Sequence, residues 1–166
     1  MYRHKRNRYP ILAAALLPLV VACGGEAAGS GGAAGSGSVA PRDPVAGVDW
    51  RVDSVTAHGT TLRAPAAARL RVDLDSAGGR GDGEGRAGGS LGCNLFSAPV
   101  TVHGDRIAFG ALRTTRMACD PARMTFERTL AGVLGRHTLS SRADKGKLTL
   151  TTGHGERVDL SRNAPG

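Results

Sequence analysis

The chain has 166 residues, with 22 Lys and Arg against 14 Asp and Glu, and aromatic side chains make up only 4% of it. That length holds one ordinary domain plus appendages. The net charge of +8 is scattered among acids rather than gathered in a stripe. Stacking rings are scarce too, so a nucleic-acid surface is not expected.

The first 22 residues read as an export signal. Arg3, Lys5, Arg6 and Arg8 form a basic leader, and Ile11 to Val21 form an apolar run. A stable span of the bilayer needs roughly 20 apolar residues, and Pro18 weakens a lasting helix, so a transmembrane anchor is the poorer reading. The segment ends in Val20-Val21-Ala22-Cys23-Gly24, which resembles a bacterial lipobox. The resemblance implies that Cys23 is lipidated, becomes the mature N-terminus and holds the protein on the outer face of the cytoplasmic membrane. Two or more acyl chains anchor stably where one is marginal.

Residues 23–44 are mostly Gly, Ala and Ser. They cannot bury enough surface to offset their ordering entropy and read as a flexible tether. Removing the four basic residues of the signal from +8 leaves +4 on the mature chain, which suits adhesion to anionic lipid or a wall polymer.

The folded module is expected over 45–162, with 163–166 a disordered end. Val48 to Val55 reads as a first strand and contains the only tryptophan, Trp50. Arg69 to Leu74 alternates Leu70, Val72 and Leu74 against Arg69, Arg71 and Asp73, as a half-buried antiparallel strand does. A Gly-rich excursion from Gly78 to Gly89 and a short strand entering Gly92-Cys93-Asn94 follow. Gly104-Asp105 suits a two-residue hairpin turn between Val100 to His103 and Ile107 to Phe109.

One helix is well marked. Asp120 suits its cap, Pro121 its first position and Gly135 the left-handed position just past its end. Met124, Glu127, Ala131 and Leu134 form one stripe and Phe126, Leu130 and Val133 its neighbour, so a broad face is buried. Strands at His137 to Ser141, Lys147 to Thr152 and Arg157 to Leu160 complete an α+β pattern: a mostly antiparallel sheet with one helix packed on it.

Gly92-Cys93-Asn94-Leu95-Phe96-Ser97 and Phe109-Gly110-Ala111-Leu112-Arg113-Thr114-Thr115-Arg116-Met117-Ala118-Cys119 resemble the signature of the META, or HslJ-like, domain of bacterial envelope proteins. Ala46-Gly47-Val48-Asp49-Trp50 is similar to its opening strand, and Arg157-Val158-Asp159-Leu160 to its closing one. The resemblance implies a compact sheet or partial barrel crossed by one helix, and no common reaction. Two departures stand out. Ala98-Pro99-Val100 replaces the family's small residue and aromatic, and the Gly-rich excursion replaces a short turn.

With Cys23 lipidated, Cys93 and Cys119 remain as an even pair in an exported domain, where disulfides persist. Linking them closes a loop of roughly 25 residues, worth about 3 kcal/mol. The rival is a redox or metal thiol pair, which the absence of Cys-x-x-Cys spacing disfavours.

Other motifs spell chemistry without its context. Gly88-Gly89-Ser90-Leu91-Gly92 fits the nucleophile elbow, with Asp120 and His137 following in triad order, but Ser90 precedes strand-like residues. Gly83, Gly85 and Gly88 fit a dinucleotide fingerprint that opens no helix. Asp73, Asp75, Gly78 and Glu84 fall at calcium-loop positions with strand-like flanks. Arg80-Gly81-Asp82 is an adhesion tripeptide in spelling only. His58, His103, His137 and His154 are dispersed, and surface or strand-end roles are expected. Neither a metal nor a cofactor is expected.

The surface singled out is Asn94 and Ser97 beside Thr114, Thr115 and Arg116, which a Cys93–Cys119 bond would make neighbours. Amide, hydroxyl and guanidinium groups there suit an anionic group or a partner's edge. In the structural alternative Asn94 takes a left-handed turn, the Thr residues extend a strand and Arg116 pairs with Glu127 or Asp120.

The functional expectation is a monomeric, non-enzymatic lipoprotein that binds or protects an envelope protein or wall component. A small-ligand carrier or sensor using the barrel interior is the second reading. An esterase built on Ser90 is the third.

Overall fold

The structure, a computed structural model, describes residues 44–75 and 81–163. The expected signal, Cys23 with its expected lipidation, nearly all of the expected tether and the last three residues lie outside them, as does Gly78. Strands are β1 (Asp49–Ala57), β2 (Thr60–Arg63), β3 (Arg69–Leu74), β4 (Gly83–Ser90), β5 (Leu95–His103), β6 (Arg106–Phe109) and β7 (Arg113–Thr114). Helix α1 (Pro121–Arg136) is followed by β8 (Thr138–Asp144), β9 (Lys147–Thr151) and β10 (Arg157–Arg162).

Alternation decides which face of each strand turns inward. β5 buries Phe96, Ala98, Val100 and Val102 and exposes every residue between them. β8 buries Leu139, Ser141 and Ala143, and β9 Leu148 and Leu150. Eight strands pair in the order β1, β3, β4, β5, β6, β8, β9, β10, and β10 pairs back to β1. The expected partial barrel is therefore a closed one, without the free edges that invite aggregation. Closure joins Trp50 to Arg162 and Val55 to Val158, with a bulge between Val52 and Ser54. β2 and β7 are short additions on β1 and β5.

α1 touches β6 on one side and β1 and β10 on the other. β6 stands opposite β1 in the ring, so the helix crosses the barrel. Phe126, Glu127, Leu130, Val133 and Leu134 are its buried residues. Asp120 caps it by accepting from the Arg123 amide at 3.0 Å, and Pro121 opens it, as expected.

Trp50, Leu70, Val72, Ile107, Leu139, Leu148, Leu150 and Leu160 belong to one core cluster. An eight-stranded barrel is just wide enough for side chains to fill or to hold one small ligand, and these apolar groups face its interior. Outward positions such as Arg69, Asp73, Glu84, Arg86 and Arg142 are exposed and charged, the reverse of a lipid-facing barrel. Among the described residues no helix is long and apolar enough to cross a membrane.

Two local expectations are corrected. The described part of the Gly78 to Gly89 excursion is mostly strand: β4 pairs with β3 from Arg69↔Ser90 to Leu74↔Gly85 and with β5 along its whole length. Its glycines serve close approach. A Cβ on Gly85 would lie 2.1 Å from the Asp73 carbonyl oxygen, and one on Gly89 2.1 Å from that of Arg69. Gly135 does not follow the helix but sits in its last turn, and His137 ends it in extended conformation. A Cβ there would press on Leu112 at 3.1 Å.

Candidate binding surface

β4 ends at Ser90, and the chain turns through Leu91-Gly92-Cys93-Asn94 before β5. Gly92 takes φ +105°, a conformation that strongly favours glycine, so the turn does not need Asn94 in the left-handed region. Cys93 is joined to Cys119 with Cα atoms 6.2 Å apart. The bond draws the strap between β6 and α1 back over this turn, as the cysteine count implied.

Asn94 is 2% exposed and Glu127 8%. The Asn94 backbone amide donates to Glu127 Oε2 at 2.8 Å, and its side-chain Nδ2 donates to Oε1 at 2.9 Å. Asn94 Oδ1 accepts from the Met117 amide at 2.6 Å and the Thr115 hydroxyl at 2.9 Å. Nδ2 also reaches the Met117 carbonyl at 3.3 Å. Thr115 Oγ1 accepts from the Leu95 amide, and the Thr115 amide donates to the Leu95 carbonyl, both at 3.1 Å. Buried polar groups persist only when paired, and this knot pairs them.

The sequence-derived surface therefore divides. Asn94 is removed from it, because its amide is consumed inside the knot, and the Thr115 hydroxyl is spent there too. Ser97 and Thr114 are exposed on the paired β5 and β7, and Arg116 is exposed beside them. Neither pairing foreseen for Arg116 forms: Glu127 holds Asn94, and Asp120 holds Arg123 at 3.1 Å. The large hydrophobics left exposed among the described residues are Leu95 and Met117, each 60%. Residues 95 to 97 and 113 to 115 line a shallow depression of about 380 Å³ between the two segments.

Ser90 does not meet a triad. Its hydroxyl accepts from the Gly92 amide at 3.1 Å. Asp120 and His137 flank opposite ends of the 16-residue helix, roughly 24 Å apart at 1.5 Å per residue. Gly83, Gly85 and Gly88 lie within β4, not in a strand-to-helix turn. Both Asp73 oxygens accept from Arg71 Nε, and the Asp75 backbone amide donates to the Glu84 carbonyl at 2.9 Å. Asp82 Oδ1 accepts from the Gly104 amide at 2.8 Å, so that carboxylate supports the β5–β6 turn.

Much of the remaining charge is locally paired. Arg71 lies between Asp73 and Asp49, and its guanidinium pKa is raised, chiefly by the hydrogen bond it donates to Asp73. Arg51 and Arg157 are held by Asp53 and Asp159.

Sequence reading missed one assembly. His58, His137 and His154 are far apart in the chain but converge around Glu156. His137 Nε2 is 3.5 Å and His58 Nε2 3.9 Å from its carboxylate, and the His137 and His154 rings meet edge-on at 5.7 Å. No local spacing signals this, because the β1–β2 turn, the helix end and the β9–β10 turn each supply part. Among the described residues no group of three metal-type ligands converges to hold an ion.

The META domain family model matches residues 43–165. A protein from Burkholderia xenovorans, solved by NMR, is similar at 23% identity over 75% of this chain and 91% of its own, with a TM-score of 0.56. At that identity the likeness bears on fold alone. A second NMR structure is 18% identical over 68% of this chain and 86% of that one, with a TM-score of 0.48. No protein of curated function matches the sequence.

Proposed function

The chain belongs to the META domain family, and from that premise we propose that it is a membrane-anchored envelope lipoprotein whose barrel is a non-enzymatic binding module. Cys23 carries the lipid, residues 24–44 are the tether, and the Cys93–Cys119 edge meets an envelope protein or wall component. The carrying observation is that Leu95 and Met117, each 60% exposed, lie on the two segments that the disulfide and the Asn94–Glu127 knot lock together. Arg113 and Arg116 flank them. A rigid apolar pair with guanidinium forks at its rim suits a partner that offers an apolar edge and acidic groups. Fixing the segments beforehand lowers the ordering cost of binding.

The test has two parts in cells of the source organism. Cys23→Ser should abolish lipid labelling and release the protein from membranes. Charge reversal, Arg113→Glu with Arg116→Glu, should leave the protein folded and anchored while losing its partner. Membrane retention of Cys23→Ser without label would overturn the anchor. Unchanged partner association after charge reversal would overturn the surface.

A further inference from the structure

A groove of about 590 Å³ lies beside the last two turns of α1, between the β1–β2 and β9–β10 turns. It is distinct from the disulfide edge. Its helix wall carries Arg128, Gly132 and Arg136, spaced four apart so that they follow one face. Nothing lies within 4 Å of where a Gly132 Cβ would be. Packing therefore does not demand the glycine, and glycine inside a helix weakens it relative to alanine. What it does provide is an open floor between two guanidinium groups.

The charge in the groove favours an anion. Neither Arg128 nor Arg136 has a carboxylate within ion-pair distance among the described residues; Arg128 Nη2 reaches only the Thr125 hydroxyl, at 3.2 Å. The opposite wall holds His58, His137, His154 and one carboxylate, Glu156. Glu156 is already faced by His58 and His137 through its two oxygens. A cation would meet two guanidinium groups with no carboxylate partner, whereas an oxyanion would meet their forks.

We propose that this groove binds a phosphate group, held between Arg128 and Arg136 over Gly132. The phosphate could belong to a soluble phosphate compound or to the headgroup of an anionic phospholipid. The test is titration calorimetry on the purified full-length protein. The probes are inorganic phosphate, glycerophosphoglycerol (the deacylated headgroup of phosphatidylglycerol) and, separately, Zn²⁺.

Saturable binding of either phosphate probe is expected. It should weaken about tenfold in Arg128→Gln with Arg136→Gln and vanish in Gly132→Leu, while the variants still unfold cooperatively, Gly132→Leu at or above the wild-type midpoint. Tighter binding of inorganic phosphate points to a soluble phosphate as the source, and tighter binding of the diester to a lipid headgroup. The proposal is overturned if neither probe binds, if binding ignores the arginine substitutions in a folded variant, or if Zn²⁺ alone binds.

Discussion

Asn94 and Glu127 are 33 residues apart, yet the backbone and side-chain amides of the first both donate to the carboxylate of the second. The contact ties the turn after β4 to the middle of α1. Through Asn94 Oδ1 it also holds Met117 and Thr115 of the strap. One buried amide thus sets the relative position of turn, strap and helix, and with it the edge where Leu95 and Met117 lie.

Removing the acceptor should be costly. Glu127→Ala leaves two buried Asn94 donors unpaired and should destabilise the protein by about 3 kcal/mol. Glu127→Gln keeps one carbonyl acceptor but sets an NH2 against a donor, so about half that loss is expected. Urea denaturation followed by Trp50 fluorescence measures both. Trp50 is fully buried and donates to the Val45 carbonyl at 2.9 Å.

The disulfide and the knot hold the strap in parallel. Cys93→Ala with Cys119→Ala should cost about 3 kcal/mol. The loss should be uneven: amide exchange should quicken most across residues 111–119, with β8 and β9 little changed. Uniform acceleration through the barrel would show that the bond acts on global stability alone.

β4 offers a contrast among neighbouring glycines. Gly89→Ala would drive a methyl against the Arg69 carbonyl, at a residue with φ +147°, and should cost about 3 kcal/mol or more. Gly85→Ala meets Asp73 in the same way. Gly88→Ala finds its nearest neighbour, the Phe96 carbonyl, at 3.4 Å, so a change within about 1 kcal/mol is expected. Thermal denaturation of the three variants separates close approach from general strand propensity.

Gly132 should behave in the opposite way. A methyl there meets nothing within 4 Å, and alanine is favoured in a helix by about 1 kcal/mol. Gly132→Ala should therefore raise the denaturation midpoint. A drop would mean that the glycine serves packing after all.

The legible parts of the fold were those written in local periodicity. The alternation of Leu70 and Val72 gave β3, Asp120-Pro121 gave the start of α1, and Gly104-Asp105 gave the β5–β6 hairpin. β4 was not legible, because glycines carry no side-chain pattern and pairing on both sides makes the strand. The Cys93–Cys119 staple was readable from the cysteine count. The candidate surface was only half readable: the segments to be joined were clear, but the burial of Asn94 depends on Glu127, a helix away. The convergence of His58, His137 and His154 on Glu156 depends on barrel closure and leaves no trace in spacing. Cys23 lies outside the described residues, so its role rests on the sequence.

The most direct measurement is site-specific photo-crosslinking in intact cells, with the reactive group placed in the full-length protein at Leu95, at Met117, or at Arg142 on β8 as a control. Adducts from positions 95 and 117, absent at 142 and lost on Arg113→Glu with Arg116→Glu, are expected of an anchored module that meets its partner through the stapled edge. Adducts of equal strength from all three positions, or from 142 alone, would contradict it.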